Sequence, residues 1–177
     1  MNLRVIEKDD VDFVAESSND IGLVGEYEPI EEQISKSDLM KTFDNPSSLA
    51  ILTDSRVFII QKKDGTKIGG INHRFNQPDK LMEIGCNIVA NETGKGYGTE
   101  AAQLMVDYLF LSKDIGRIQA KADVRNKASQ RVLERVGFKM EGTTRKSYFA
   151  RGVWNDCYLY SILREEWKEP KILTKTN

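Results

Sequence analysis

Histidine occurs once in the 177 residues, as His73, and cysteine twice, as Cys86 and Cys157. A zinc site built on two histidines lacks its ligands, and a Ser-His-Asp hydrolase is poorly served by one histidine in a strand-like stretch. No metal is expected, and His73 reads as an ordinary strand residue. The two cysteines lie far apart without a ligand spacing, so in a reducing compartment they stay thiols and read as small core residues. An excess of one charge is missing too: 26 Lys and Arg stand against 27 Asp and Glu, for a net charge of -1. Without a basic block to track a phosphodiester backbone, nucleic acid is not the expected partner. The longest apolar stretches fall far short of a membrane span, and the opening Met-Asn-Leu-Arg-Val-Ile-Glu has no signal-peptide core. A cytoplasmic protein with no membrane partner is expected. The length suits one compact domain, expected over residues 1–169, with 170–177 as a loose end.

Glycine, by contrast, is concentrated at one place. Thr93-Gly94-Lys95-Gly96-Tyr97-Gly98-Thr99 sets a glycine at every second position, between an apolar stretch ending at Val89 and a helical run opening at Glu100. Lacking a Cβ, each glycine lets the backbone approach a ligand and take up positive φ. The helix start then offers unpaired N–H groups and a partial positive charge. This points to a polyphosphate-bearing ligand; a plain turn from strand to helix is the simpler alternative. Two other phosphate loops are excluded. A Walker A loop needs Lys-Ser/Thr after its last glycine, whereas Gly98 is followed directly by Thr99. A dinucleotide fingerprint needs G-x-G-x-x-G after the first strand, and here the spacing is G-x-G-x-G in mid-chain.

Around this loop the hydrophobic pattern predicts a mixed α/β fold. Leu3 to Ile6 is a strand, followed by a helix with Val11, Val14 and Ala15 on one face. Residues 31–43 carry Ile34, Leu39, Met40 and Phe43 among charges, a second helix stopped by Asn45-Pro46. Val57 to Gln61 and Lys67 to Phe75 flank Lys63-Asp64-Gly65-Thr66, a strong hairpin signal, and Leu81 to Val89 is the next strand. Ala101, Ala102, Met105, Val106, Leu109 and Phe110 recur at helical spacing. Arg117 to Val124 alternates as a strand, and Lys127 to Val136 is a helix closed by Gly137. Strand, loop, helix and strand form a right-handed crossover, which makes Leu81–Val89 and Arg117–Val124 parallel neighbours. Lys146–Phe149 and Trp154–Leu163 read as a final hairpin. The expectation is a mostly antiparallel sheet of six to seven strands with one parallel pair, flanked by about four helices.

Glu83-Ile84-Gly85 in a strand, the Gly94 to Gly98 loop, Asn126-Lys-Ala-Ser129 opening a helix and Val136-Gly137-Phe138 ending it together resemble the GNAT N-acetyltransferases. Arg125-Asn126-Lys-Ala-Ser129, Gly137-Phe138-Lys-Met-Glu141-Gly142 and Arg151-Gly-Val-Trp154-Asn-Asp156 look like the RimJ/RimL-type branch, which acetylates N-terminal amines of ribosomal proteins. The likeness covers residues 3–167. It implies the GNAT fold, with its parallel strands splayed for CoA, an acetyl-CoA donor, a primary amine acceptor and direct transfer without metal. Ile88 and Val89 would pair their backbone with the pantetheine arm, Asn126 would bond the arm from the other side, and the amides of Gly94, Lys95, Gly96, Tyr97, Gly98 and Thr99 would hold the diphosphate. Lys95 either meets a phosphate or stays exposed.

Two departures from the family pattern stand out. Thr93 replaces a long polar side chain at the loop start, which predicts weaker or rearranged diphosphate binding. Leu133 occupies the position where many members carry a tyrosine that returns a proton to the CoA sulfur. The RimJ/RimL-like pattern offers the Ser129 hydroxyl instead; simple capping is its alternative role. Alkyl amines are mostly protonated at neutral pH, so a base must act first. Glu83 is the candidate, directly or through water, unless it is only a solvated strand charge. A backbone N–H near Ile88 would receive the oxyanion. A protein α-amine is the favoured acceptor. A small amine such as a polyamine, an amino acid or an aminoglycoside-like antibiotic, and a non-catalytic acyl-CoA sensor, are the alternatives. A homodimer is a further family expectation.

Overall fold

The computed structural model describes residues 1–19, 27, 35–44, 55–76 and 81–172. Its strands are β1 (Asn2–Val5), β2 (Ser55–Gln61), β3 (Lys67–Asn76), β4 (Leu81–Ile88), β5 (Arg117–Asp123), β6 (Lys139–Ala150) and β7 (Val153–Leu163). Its α-helices are α1 (Val11–Asn19), α2 (Lys36–Asp44), α3 (Tyr97–Ser112) and α4 (Lys127–Val136). The strands make one sheet in the order β1-β2-β3-β4-β5-β7-β6. Neighbours are antiparallel except β4 and β5, which pair in parallel only at Met82↔Ile118 and Glu83↔Gln119. Beyond that point β4 runs on to Ile88 and β5 to Asp123 with no bridge between them. The expected sheet, its single parallel pair and the four helices are therefore present among the described residues. No helix there is long and apolar enough to cross a membrane.

Local chemistry explains the turns that set this geometry. Gly65 adopts φ 90° between β2 and β3, Lys62 N–H donates to Thr66 O at 2.9 Å, and Asp64 Oδ1 accepts from Thr66 N–H at 2.9 Å. Gly137 closes α4 at φ 114°, its N–H donating to the carbonyls of Leu133 and Glu134, a conformation costly for any residue with a Cβ. Ile118, Ala120 and Ala122 of β5 alternate into a core shared with Met82 and Ile84 of β4 and with Ala101, Ala102, Met105, Val106 and Leu109 of α3. Each fully buried side chain of Leu or Met size contributes roughly 1.5–3 kcal/mol, so this layer fixes β4, α3 and β5 relative to one another. Val11, Ala15 and Ile59 are buried outside that cluster. Alternation along β2 puts Ile59 on the sheet face opposite Phe58 and Ile60. Asp10, fully buried, accepts two 2.7 Å bonds from the Arg4 guanidinium and one from Glu7 N–H, and pairs with Lys67 Nζ. These donors, Arg4 foremost, hold its carboxyl well below the usual carboxylate range.

Several details differ from the sequence expectations. α3 starts at Tyr97 rather than Glu100, because Gly96 at φ 89° caps it and brings Tyr97, Gly98 and Thr99 into its first turn. β6 begins at Lys139, so the final hairpin is much longer than its aromatic stretch suggested. Cys157 is buried, but Cys86 is exposed: it lies in the part of β4 that has lost its neighbour on the β5 side, so it is not a core residue. In the segment expected to be loose, the N–H groups of Lys171 and Ile172 donate to Asp107 Oδ2 at 3.0 and 2.9 Å, while 173–177 lie outside the described residues. Residues 31–34, 45–46 and 77–80, expected as helix start, helix stop and turn, also lie outside them.

Candidate active site at the splayed strands

The end of the β4–β5 contact, the glycine loop and the start of α4 converge on one cleft. Gly94 and Gly96 adopt φ 76° and 89°, and a Cβ built on either would meet nothing within 4 Å. Open space therefore faces the backbone where a ligand would lie. The first intrahelical bond of α3 runs from Glu100 N–H to Gly96 O at 3.1 Å. Among the described residues the N–H groups of Gly94, Lys95, Gly96, Tyr97, Gly98 and Thr99 have no acceptor. Six such donors at a helix start are a geometry that suits an anion. A Cβ on Gly98 would sit 3.9 Å from Ile88 and 3.7 Å from Val132, so the strand end and α4 close on the first turn of α3.

Side chains near the loop are engaged with one another. Thr93 Oγ1 donates to Ala90 O at 2.8 Å within the preceding 3-10 turn. Its hydroxyl thus stabilises the loop. Lys95 is exposed and pairs with Glu92 Oε2 at 3.1 Å, and Glu92 Oε1 takes Lys62 Nζ at 2.5 Å. These two cations, Lys62 foremost, lower the Glu92 carboxyl below its ordinary value. Val89 N–H donates to Ile68 O at 2.9 Å. Since ladder bonds alternate along an antiparallel strand, the backbone groups of Ile88 face the β5 side, where no partner strand remains.

Glu83 sits in the last parallel pair, half-buried, and its Oε2 accepts from Gln119 Nε2 at 2.7 Å. Sequence reasoning overlooked Gln119, although polar residues alternating along β5 mark the face opposite the core. Across the gap, Asn126 is the N-cap of α4, its Oδ1 accepting from Ser129 N–H at 3.0 Å. Capping is thus done by Asn126, and the Ser129 hydroxyl makes no hydrogen bond among the described residues. Leu133 is buried in the core behind it. At the end of β5, Asp123 Oδ1 accepts Arg125 N–H and Nε, while its Oδ2 accepts Arg125 Nη2 at 2.8 Å and Tyr148 Oη at 2.5 Å. Arg125, and after it Tyr148, holds the Asp123 carboxyl down to about 2; burial and the Asp123 charge push the Tyr148 hydroxyl well up. Tyr148 Oη also lies 2.8 Å from Tyr27 O, so that its single proton is shared between that carbonyl and Asp123, and Arg125 lies 5.4 Å from the Tyr27 ring. Nothing in the sequence spacing announced the part played by Tyr148, which meets residues 25 and 121 positions away.

A strand that leaves its parallel neighbour is the arrangement the sequence resemblance implied, and the sequence matches agree on the family. Residues 1–139 match the family described as acetyltransferase (GNAT) domain. The chain belongs to the GNAT acetyltransferase family. Among curated relatives it is 36% identical over 115 residues to the uncharacterized N-acetyltransferase p20 of Bacillus licheniformis, covering 64% of each chain. It is 35% identical over 109 residues to a Bacillus subtilis protein provisionally named ribosomal N-acetyltransferase YdaF, covering 61% of this chain and 60% of that one. This GNAT chain thus spans about three fifths of the length of those two relatives. Its fold is that of the Vibrio cholerae spermidine N-acetyltransferase solved with CoA and spermine (TM-score 0.81, 21% identity, 94% of this chain and 96% of that one). It is equally that of the ribosomal-protein-S5-alanine acetyltransferase of Vibrio fischeri (TM-score 0.80, 24% identity, 94% of each).

Proposed function

We propose that this GNAT chain transfers the acetyl group of acetyl-CoA to a primary amine, and that the amine is the N-terminal α-amine of a protein. The observation that carries this reading is the group of six N–H donors, free among the described residues, at the mouth of the stretch of β4 that no longer pairs with β5, with Glu83 in the last pair before the gap. The residues suit the donor: Gly94 to Thr99 would hold its diphosphate, and the backbone of Ile88 would pair with its pantetheine arm as a short added strand. Asn126, whose Oδ1 is engaged in the cap, would offer its amide N–H from the α4 side. Bound acetyl-CoA supplies an activated thioester; the chain supplies position and proton transfer.

Glu83, oriented by Gln119, accepts the proton from the ammonium of the acceptor, directly or through one water. The amine then attacks the thioester carbonyl, and a backbone N–H at Ile88 stabilises the charge on its oxygen, an effect worth about 3 kcal/mol in comparable sites. The proton that the attacking nitrogen loses as the amide forms passes to the departing sulfur through the hydroxyl of Ser129, which stands three residues into α4 and makes no hydrogen bond among the described residues. The name of the Bacillus subtilis relative supports a protein acceptor; the fold, common to the spermidine and ribosomal-protein enzymes, is neutral on that point. A small amine is the second reading, favoured by the 24% identity over 170 residues to spermidine N(1)-acetyltransferase of Escherichia coli. Thiol release from acetyl-CoA, followed with an N-terminal ribosomal peptide, spermidine and free amino acids, tests both. Binding of CoA by titration calorimetry without turnover on any amine would overturn acetyl transfer in favour of a sensor.

A further inference from the structure

The face of the sheet around Glu83 has an uneven charge arrangement. β3 runs antiparallel beside β4, so Arg74 stands opposite Glu83 and Asn72 opposite Gly85, and Gln119 of β5 completes the Glu83 row. Lys121 follows Gln119 by two residues and so shares its face, about 7 Å further toward the cleft. Gly85 contributes no side chain to that second row, and the Asn72 amide lies across it: a Cβ there would be 3.0 Å from Asn72 Oδ1. Arg74, Asn72, Gly85 and Lys121 are all exposed. The two carboxylates that β4 and β5 place on this face are engaged, Glu83 by Gln119 and Asp123 by Arg125 and Tyr148. Arg74 and Lys121 have neither an ion pair nor a hydrogen bond among the described residues.

A base flanked by two cations that are unpaired among the described residues suits one kind of amine and opposes another. A polyamine would bring its remaining ammonium groups against Arg74 or Lys121, and like charges so placed are destabilising. An amine whose own molecule carries a nearby anion gains from both. We propose that Arg74 and Lys121 select acceptor chains with an acidic side chain at the second or third residue after the reactive α-amine. Extended chain advances about 3.3 Å per residue, so with the amine at Glu83 an acid at the third residue comes level with Lys121 and one at the second lies between the Glu83 row and Lys121. This rests on the acetyl-transfer reading above and names the substrate class within it.

Initial rates on three hexapeptides differing only at residues two and three (Asp, Ser or Lys), with spermidine as a fourth acceptor, provide the test. The intact chain should prefer the Asp peptide over the Lys peptide by about tenfold in kcat/KM, mainly through KM, and the preference should shrink as salt is raised. Lys121→Glu with Arg74→Glu should invert that order and improve spermidine, with CoA affinity and the melting temperature as controls for folding. Turnover indifferent to peptide charge, or an unchanged order in the double variant, overturns the selection while leaving acetyl transfer intact. Absence of thiol release with every amine overturns the parent reading and this inference with it.

Discussion

The two walls of the cleft are built from different chemistry. On the loop side, binding groups are main-chain N–H donors fixed by Gly94 and Gly96 at positive φ, with side chains such as Thr93 turned to stabilising the loop itself. On the side we propose for the acceptor, the groups are side chains: Glu83 held by Gln119, Asp123 clamped by Arg125 and Tyr148, and the cations Arg74 and Lys121, unpaired among the described residues. A wall made of backbone depends on conformation, and one made of side chains depends on identity. The first can serve one constant ligand across many sequences, while the second can be rewritten residue by residue for a new acceptor.

Changing one wall should therefore leave the other's ligand alone, and the largest single effect is expected on the acceptor side. Glu83→Gln keeps the shape and the hydrogen bond to Gln119 but removes the base we propose, so kcat should fall by about 10²-fold. The affinity for CoA, measured by calorimetry, should stay within about twofold. A parallel loss of CoA binding would break the separation of the walls.

The next effect belongs to the loop. Gly96→Val forces a β-branched residue to φ 89°, at a cost of about 1–3 kcal/mol, which the loop escapes by abandoning this conformation. The Kd for CoA should rise about tenfold or more, while KM for the acceptor at saturating acetyl-CoA is unchanged. An unaltered Kd would mean that the amides of Gly94 to Thr99 are not the main anchor.

This contrast also explains what the sequence disclosed. The turn into the helix at Gly94 to Gly98 was legible because glycine spacing before an apolar helical run has few physical meanings, and the parallel pairing of Leu81–Val89 with Arg117–Val124 followed from reading that stretch as a crossover. Glu83 and Ser129 were visible as residue types at family positions. Gln119, Arg74 and Lys121 were hidden because cross-strand register decides what stands beside Glu83, and register is not a local property of any strand. The Tyr148–Asp123 bond and the exposure of Cys86 follow from where β4 and β5 separate, which hydrophobic alternation along either strand does not mark.

Asp123→Asn tests the clamp that frames the acceptor side. The carboxylate is 2% exposed and holds Arg125 and Tyr148, so loss of its charge should cost about 1–3 kcal/mol and raise the acceptor KM without altering CoA binding. Its carboxyl titrates near 2 in the folded chain against an ordinary 3.8, so the unfolded chain takes up the proton first. The contribution is therefore complete above about pH 4 and is lost as pH falls toward 2. Thermal melts across that interval should decline more steeply for the intact chain than for the variant.

The smallest expected effect is the most discriminating for mechanism. Ser129 contributes its N–H to the Asn126 cap, and that contribution survives substitution by alanine. Ser129→Ala should therefore change stability by less than about 0.5 kcal/mol, whereas Asn126→Ala, which removes the capping oxygen, should cost about 1 kcal/mol. If the hydroxyl returns the proton to the sulfur, Ser129→Ala lowers kcat by about tenfold with acceptor KM and CoA affinity unchanged, and a thioester with a more acidic thiol recovers part of the loss because its leaving group needs the proton less. Full kcat in the variant would assign the proton to solvent and reduce Ser129 to a helix residue facing the cleft.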